Sequence, residues 1–343
     1  MADKERVIAI FPGRGSYGQQ ELGYLARHHQ DRREMLDALD LHRTNCGATP
    51  VQELDALEKF SPSRHLPGRN ASNLIYTAAL ADFASIDRER YEVVGICGNS
   101  LGWYLTLAAS GALSLMDGAH LVDTMGDLME REAEGGQLLV QISREDWTID
   151  EARHSAVLDI IAATENAYLS IDLGGTLVLA GDKPALAAMQ KSLSELGGDA
   201  PVQLPKHAAF HTPILQHITH KARGALAQGM FRTPEIPIID GSGAIWSPYS
   251  TDIASLYDYT LVTQIVETYD FALSIEVALK ELAPDRLMLM GPGSALGAPL
   301  AQILITHRWR GITDRQSFQD QQASDPFLLA LGRDGQRELA VAG

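Results

Sequence analysis

Val93-Val94-Gly95-Ile96-Cys97-Gly98-Asn99-Ser100-Leu101-Gly102-Trp103-Tyr104 changes character at Gly98. Up to that glycine the run is apolar and reads as a buried strand. From Leu101 it continues through Leu105, Leu107, Ala108 and Ala109 as a helix. A strand, a sharp turn and a helix, with Gly98-x-Ser100-x-Gly102 at the turn, is the setting of a nucleophile elbow. The glycines have a steric reason: without Cβ atoms there, strand and helix can close around the serine. The helix N-terminus then aims its N–H groups and positive dipole end at Ser100, where negative charge develops during acyl transfer. The same residues also fit a plain glycine-rich βα loop with a helix-capping serine, so the rest of the chain has to decide.

The chain's 343 residues, 45% hydrophobic and 21% charged, suit an ordinary globular protein of one large domain or two. The net charge of −16, from 44 acidic and 28 basic residues, argues against nucleic acid or an anionic membrane as main partner. A local basic pocket for an anionic ligand stays open. The two cysteines, Cys46 and Cys97, form no disulfide framework and no zinc-ligand spacing, which fits a reducing cytoplasm. Cys97, inside the apolar strand, is expected to be buried and inert. The N-terminus, Met1 to Arg6, is charged and runs straight into a strand. No apolar run reaches the roughly 18 residues of a membrane span, so a cytoplasmic protein without a signal peptide is expected.

In chain order, Val7–Phe11 reads as a buried strand ended by Pro12-Gly13-Arg14-Gly15-Ser16. That loop lacks the Lys-Ser/Thr of a P-loop and the third glycine of a dinucleotide fingerprint, which makes it a weak nucleotide site; the alternative use is to bring a backbone N–H near an active-site oxygen. Residues 19–60 are polar and helical in pattern. Asn73–Phe83 has the spacing of a core helix, and Ser114 to Asp117 that of a helix N-cap, with the run continuing to Met129. After the acidic, glycine-ended break at residues 130–136, the spacing predicts strands at Leu138–Ile142, Asp159–Ala163, Thr176–Ala180 and Pro201–Leu204, with a helix at Pro184–Leu196. That order suits a small α+β insert with an antiparallel sheet. Lys206-His207-Ala208-Ala209-Phe210-His211-Thr212-Pro213 leads into a helix carrying His217 and His220, read as surface or packing histidines rather than metal ligands. Residues 265–282 read as one helix, Arg286–Met290 as a strand, and Gly291-Pro292-Gly293-Ser294 as a turn into a last core helix. The polar tail from Thr313 is expected to be peripheral.

Taken together, Phe11-Pro12-Gly13, the Ser100 elbow, Phe210-His211-Thr212-Pro213, Gln264 and Gly291-Pro292-Gly293 resemble the malonyl-CoA:acyl carrier protein transacylase family, which includes polyketide-synthase acyltransferases. The resemblance covers most of residues 7–305, with order and spacing in agreement. It implies an α/β protein: an α/β-hydrolase-like large domain from residues 1–131 and 204–312, and a ferredoxin-like small domain inserted at 132–203. Residues 313–343 are left as a tail. It implies Ser100 as nucleophile and His211 as base, and their chemistry stands independently, since a serine hydroxyl attacks well only when an imidazole takes its proton. The alternative for His211 is a helix-capping role. The resemblance further implies that the backbone carbonyl of Gln264 orients the His211 ring in place of a triad carboxylate, and that the N–H groups of Arg14 and Leu101 form the oxyanion hole. Acyl-CoA and the phosphopantetheine thiol of an acyl carrier protein are the implied substrates and partners, with no bound cofactor and no metal.

The departures from the family pattern bear on the acyl group. Asn99 stands where the family has His, Trp103 where it has Glu, and Arg14 where it has Gln. Met125, held in register by Gly126 and Met129, replaces the arginine that grips the malonyl carboxylate. A thioether cannot form paired N–H···O bonds. Phe210, by contrast, is the residue of malonyl-type members. The expectation is an acyltransferase for a non-carboxylated acyl group, with Met125, Phe210, Asn99 and Trp103 as specificity residues. The alternatives are a malonyl transacylase using another cation such as Arg14, an acyl-carrier thioester hydrolase, and a non-catalytic carrier-binding homologue.

Overall fold

The computed structural model describes residues 4–342. Its strands, in chain order, are β1 (Glu5–Phe11), β2 (Tyr91–Gly98), β3 (Gly136–Gln141), β4 (Ala167–Asp172), β5 (Thr176–Gly181), β6 (Val202–Gln203), β7 (Ile238–Ile239), β8 (Ile245–Trp246), β9 (Tyr269–Asp270), β10 (Arg286–Leu289) and β11 (Leu328–Ala330). They form a six-stranded sheet in the order β11-β10-β1-β2-β7-β8 and a five-stranded sheet in the order β6-β3-β5-β4-β9.

The large sheet is parallel from β11 to β7, and only β8 runs antiparallel. A parallel sheet is covered on both faces, so its strands need no polar side. Val7 to Phe11 accordingly have no exposed surface. The helix Gly68–Ser85 packs against the helices Leu101–Ala109 and Leu115–Glu132, and Ser114 caps the latter by accepting from the Asp117 N–H. This helical layer backs the C-terminal ends of β1 and β2, where a parallel α/β sheet places its site.

The inserted unit runs β3, helix Glu151–Ala163, β4, β5, helix Lys183–Leu196, β6. Its sheet order and antiparallel β3–β5, β3–β6 and β4–β5 pairs make it ferredoxin-like. It is not self-contained: β9, from the large-domain segment, extends its sheet by pairing in parallel with β4.

Three expectations need correction. Residues 159–163 are the last turn of a helix, and the missing strand is β4. Leu158, Ile160 and Ile161 form a short apolar run of ambiguous period, and the Asp150 N-cap, accepting from the Arg153 N–H, sets it in a helix. The segment 265–282 is not one helix. A π-type turn, Tyr259–Thr263, leads into the short turn Gln264–Val266, then β9 intervenes before helix Phe271–Leu282. The tail is not peripheral either. β11 pairs with β10, and Leu328 to Leu331 are buried. Arg337 reaches the fully buried Asp82, whose carboxylate also accepts from Tyr24 Oη at 2.8 Å and the Gly291 N–H at 2.7 Å. A buried carboxylate requires such partners.

Candidate active site

The elbow is built as its glycines require. A Cβ on Gly98 would lie 2.4 Å from the Gly102 backbone, and one on Gly102 would lie 2.4 Å from the Phe11 carbonyl oxygen. Any side chain at either position would force β1, β2 and the following helix apart. Ser100 sits between them with φ 54°, a strained value for a residue bearing a Cβ. Its side chain makes no helix-capping hydrogen bond. Instead Ser100 Oγ lies 2.7 Å from His211 Nε2.

His211 is buried, itself at φ 58°, and its Nδ1 lies 2.6 Å from the Gln264 carbonyl oxygen. A carbonyl only accepts, so Nδ1 carries the proton and Nε2 presents its lone pair to the serine hydroxyl. Gln264 can offer this carbonyl because it stands in the final turn before β9, where helical carbonyls lose their i+4 partners. Its side chain is held as well: Tyr104 Oη donates to Oε1 at 3.0 Å, and Nε2 donates to the Ser100 carbonyl at 3.2 Å. Tyr269 Oη donates to the Gly98 carbonyl at 2.5 Å, and its ring lies 5.5 Å from that of His211. Nothing in the sequence singled out Tyr104 or Tyr269 among ten tyrosines. Leu101 is the first residue of its helix, so its N–H is free of the helical ladder. Arg14 follows β1 at the same sheet edge, on the loop next to the elbow.

Burial pulls the His211 pKa down from 6.5 to about 4, while the Gln264 carbonyl opposes that shift. The imidazole is therefore neutral, and able to accept a proton, throughout the neutral range. Dyad-dependent acylation should stay level from neutral pH to about 5 and fall with an acid limb centred near 4, rather than near 6.5. Initial loading rates against pH, with circular dichroism at each point, would check this. The same group makes the fold less stable as pH drops from 6.5 towards 4, because the unfolded chain takes up the proton first.

No family model matches the chain. Among curated proteins, the polyketide biosynthesis protein ThaF of Burkholderia thailandensis is 26% identical over 298 residues, covering 86% of the chain and 24% of that protein. The polyketide biosynthesis acyltransferase homolog BaeD of Bacillus velezensis is 23% identical over 337 residues, covering 95% and 98%. The chain thus spans about a quarter of ThaF but nearly all of BaeD. Among solved structures, the malonyl-CoA:acyl carrier protein transacylase (FabD) of Xanthomonas oryzae superposes with a TM-score of 0.77 at 20% identity, over 100% of both chains. The chain shares the fold of the malonyl-CoA:acyl carrier protein transacylases, and its sequence is similar to that of BaeD along nearly its whole length. Another chain of this fold, a malonyl-transacylase solved in complex with its type II polyketide acyl-carrier protein, superposes with a TM-score of 0.73 at 17% identity, covering 98% of this chain and 99% of that one.

On this transacylase fold, three openings meet at Arg14, and two of them reach Ser100. A small pocket of about 50 Å³ contains Ser100, His211, Val122, Met125, Met129 and Phe210 on its wall. A chamber of about 420 Å³ between the two sheets also reaches Ser100, and Asn99 lines it. A groove of about 510 Å³ runs past Ser63, Glu130 and Lys206. Arg14 borders all three, its guanidinium 5.6 Å from the centre of the Phe210 ring and Nη2 3.4 Å from the Leu66 carbonyl. Burial lowers the Arg14 pKa from its ordinary value, and Glu130 opposes this.

Met125 and Phe210 therefore lie in the small pocket, and Asn99 lies in the larger chamber, packed against Gly13. Trp103, expected to shape acyl specificity, borders none of the three openings. It is fully buried on the far side of its helix, donating to Thr260 Oγ1 at 3.0 Å and packing edge-on against Tyr259. The position of Trp103 on its helix sets the direction of its side chain, but that Thr260 and Tyr259 stand there to receive it is a tertiary fact that one sequence does not reveal.

His217 and His220 are exposed, and His217 Nε2 lies 3.0 Å from the Glu132 carbonyl. Cys97 is buried, which pushes its thiol pKa up. Ligand atoms of His42, Cys46 and Asp123 lie within 4.8 Å of one another, a grouping the sequence did not signal. Arg43 and Arg69 donate to Asp123 at 2.9 and 3.1 Å, so a cation there would face two guanidinium groups. That charge balance makes the cluster an ion-pair joint between helices. Among the described residues, no helix is long and apolar enough to cross a membrane.

Proposed function

We propose that this protein is an acyltransferase that carries an acyl group from acyl-CoA, through a Ser100 ester, to the phosphopantetheine thiol of an acyl carrier protein. Ser100 Oγ attacks the thioester carbonyl while His211 Nε2 takes its proton. The oxyanion is met by the Leu101 and Arg14 N–H groups, the C–S bond breaks, and the proton passes to the departing CoA sulfur. In the second half-reaction the carrier thiol gives its proton to His211, attacks the ester, and Ser100 recovers its proton. The 2.7 Å contact between Ser100 and a neutral, carbonyl-oriented His211 carries this reading. The partner is proposed on the strength of the related fold captured with its carrier protein.

The acyl group we propose lacks a free carboxylate. Met125 is 2% exposed and shares the small pocket with Val122 and Met129, so a malonate carboxylate there would meet thioethers and a methyl wall. Burying that charge without a charge-assisted partner costs roughly 2–5 kcal/mol, a discrimination of more than about tenfold. One observation favours the malonyl alternative: Arg14 borders the same pocket. Its guanidinium, however, lies against the Phe210 ring.

Competition between equimolar acetyl-CoA and malonyl-CoA, followed by intact mass, separates the two readings. Acetyl should dominate by about tenfold or more, and Met125→Arg should move the ratio towards malonyl. Predominant malonyl loading by the unmodified protein, lost on Arg14→Met, would assign the carboxylate to Arg14 instead.

A further inference from the structure

The left-handed φ of 58° at His211 has to be held in place, because a residue with a Cβ relaxes to negative φ when it is free to do so. The angle is set by the Phe210–His211 peptide plane. That plane is rigid, so turning it changes ψ of Phe210 and φ of His211 together. Turning it over would carry His211 to a φ of about −120°, in the broad β region. The amide nitrogen would then swing across the line between the two Cα atoms and tilt the Cβ of His211. A catalytic pair that works only within about 0.5 Å of its productive geometry does not tolerate such a tilt.

The Phe210 carbonyl, at the other end of that plane, is pinned by the inserted sheet. Ser170 Oγ, fully buried on β4, donates to it at 2.8 Å. β4 is bulged at this point: Leu169 pairs with Leu179 and Ile171 with Val178 of β5, which leaves Ser170 as the extra residue. A bulge re-aims the side chain it carries. A hydroxyl has a single hydrogen to give, so Ser170 accepts from its other neighbour, Gln137 Nε2, at 2.7 Å. Gln137 is buried on β3 and reaches across β5, where the small Ala180 stands opposite it. Gln137 Oε1 in turn lies 2.7 Å from His207 Nδ1. Burial, helped by nearby Arg14, takes the His207 pKa down to about 3, so the ring is neutral and Nδ1 holds the hydrogen it gives to the amide oxygen. Three hydrogen bonds thus run one way from His207 to the Phe210 carbonyl. The Ala209 N–H donates to the Glu134 carbonyl and Thr212 Oγ1 to the Ala209 carbonyl, both at 2.7 Å, but neither bond fixes the plane between 210 and 211. Ser170 borders none of the three openings, so it meets no substrate held in them.

We propose that Ser170 is a positioning residue of the dyad: through the Phe210 carbonyl it selects the backbone in which His211 Nε2 faces Ser100, and Gln137 orients Ser170 for that task. The inserted unit thereby contributes to proton transfer without touching a substrate through this serine. This rests on the reading of His211 as the base and adds no chemical step to it.

The test measures single-turnover adduct formation by the full chain over a range of donor concentration, with acetyl-CoA or malonyl-CoA, whichever loads faster. Ser170→Ala should lower the saturating rate by at least about tenfold and up to about 10²-fold, the cost of a misplaced catalytic group. The donor concentration at half-saturation should stay within about twofold, because no donor contact is lost. Ser170→Thr keeps the hydroxyl and should recover most of the rate. Gln137→Met, of similar size, should show a smaller fall of the same kind, and it serves where circular dichroism finds the alanine variant unfolded. Adding His211→Ala to either variant should leave the rate where His211→Ala alone puts it, since a displaced base has little left to lose. Losses that multiply instead would mean that Ser170 acts on something other than His211, and the proposal falls. A saturating rate within about twofold of the unmodified protein in both folded variants would overturn it as well. Full-rate loading by His211→Ala would overturn the assignment of the base itself.

Discussion

Ser100→Ala is expected to abolish acyl-enzyme formation, a loss of roughly 10⁶-fold. The substitution deletes only Oγ: the strained backbone at φ 54° already carries a Cβ, and the side chain makes no capping bond that the helix would miss. Thermal unfolding should therefore be nearly unchanged, while the adduct disappears from the intact-mass spectrum. One trap is chemical. Cys46 is an exposed free thiol and can be acylated directly by a thioester. A cysteine adduct is a thioester, cleaved by neutral hydroxylamine much faster than a serine ester, so the two are told apart. A hydroxylamine-resistant adduct of the same mass on the alanine variant would mean that the nucleophile has been misassigned.

Removing the base should cost less, because the elbow and its N–H donors remain. His211→Ala is expected to slow both acylation and deacylation by ~10²–10⁴-fold, the usual contribution of a positioned general base. His211 sits at φ 58°, where alanine is strained, so His211→Asn makes a useful companion because asparagine tolerates this region. Both variants should fall to similar rates and lose the acid limb near pH 4. If asparagine restored most of the rate, His211 would be holding the loop rather than moving the proton. Single-turnover loading across pH 4 to 8 measures both the drop and the change of profile.

The parts of this site that were legible in the sequence are those fixed by local sterics. Gly98 and Gly102 announced the elbow because no other residue fits where β1, β2 and the next helix approach within contact. His211 and Gln264 are 111 and 164 positions from the serine, respectively, and their spacing alone carries no signal. They were found through the order of motifs along the chain. What sequence pattern missed depends on tertiary neighbours. The run at 159–163 follows its N-cap and becomes a helix, and the polar tail hides Leu328 to Leu331 because the sheet has an edge beside β10 to receive it. Trp103 lies three residues from the nucleophile, yet Thr260 and Tyr259 claim its ring. Arg14 was legible for its backbone N–H and as an alternative cation, but that its side chain stands where three openings meet depends on tertiary neighbours.

The central claim is that Ser100, activated by His211, accepts an acyl group from a thioester. The most direct test exposes the unmodified protein to a panel of acyl-CoAs, measures intact mass, maps the modified peptide, and then adds a phosphopantetheinylated carrier protein. A single hydroxylamine-resistant acyl mass on the peptide containing Ser100, discharged when the carrier thiol is added, is the predicted result. Discharge at the same rate without the carrier would make the protein a thioester hydrolase built on the same dyad. No adduct on that peptide with any donor, in a folded protein at neutral pH, would contradict the claim.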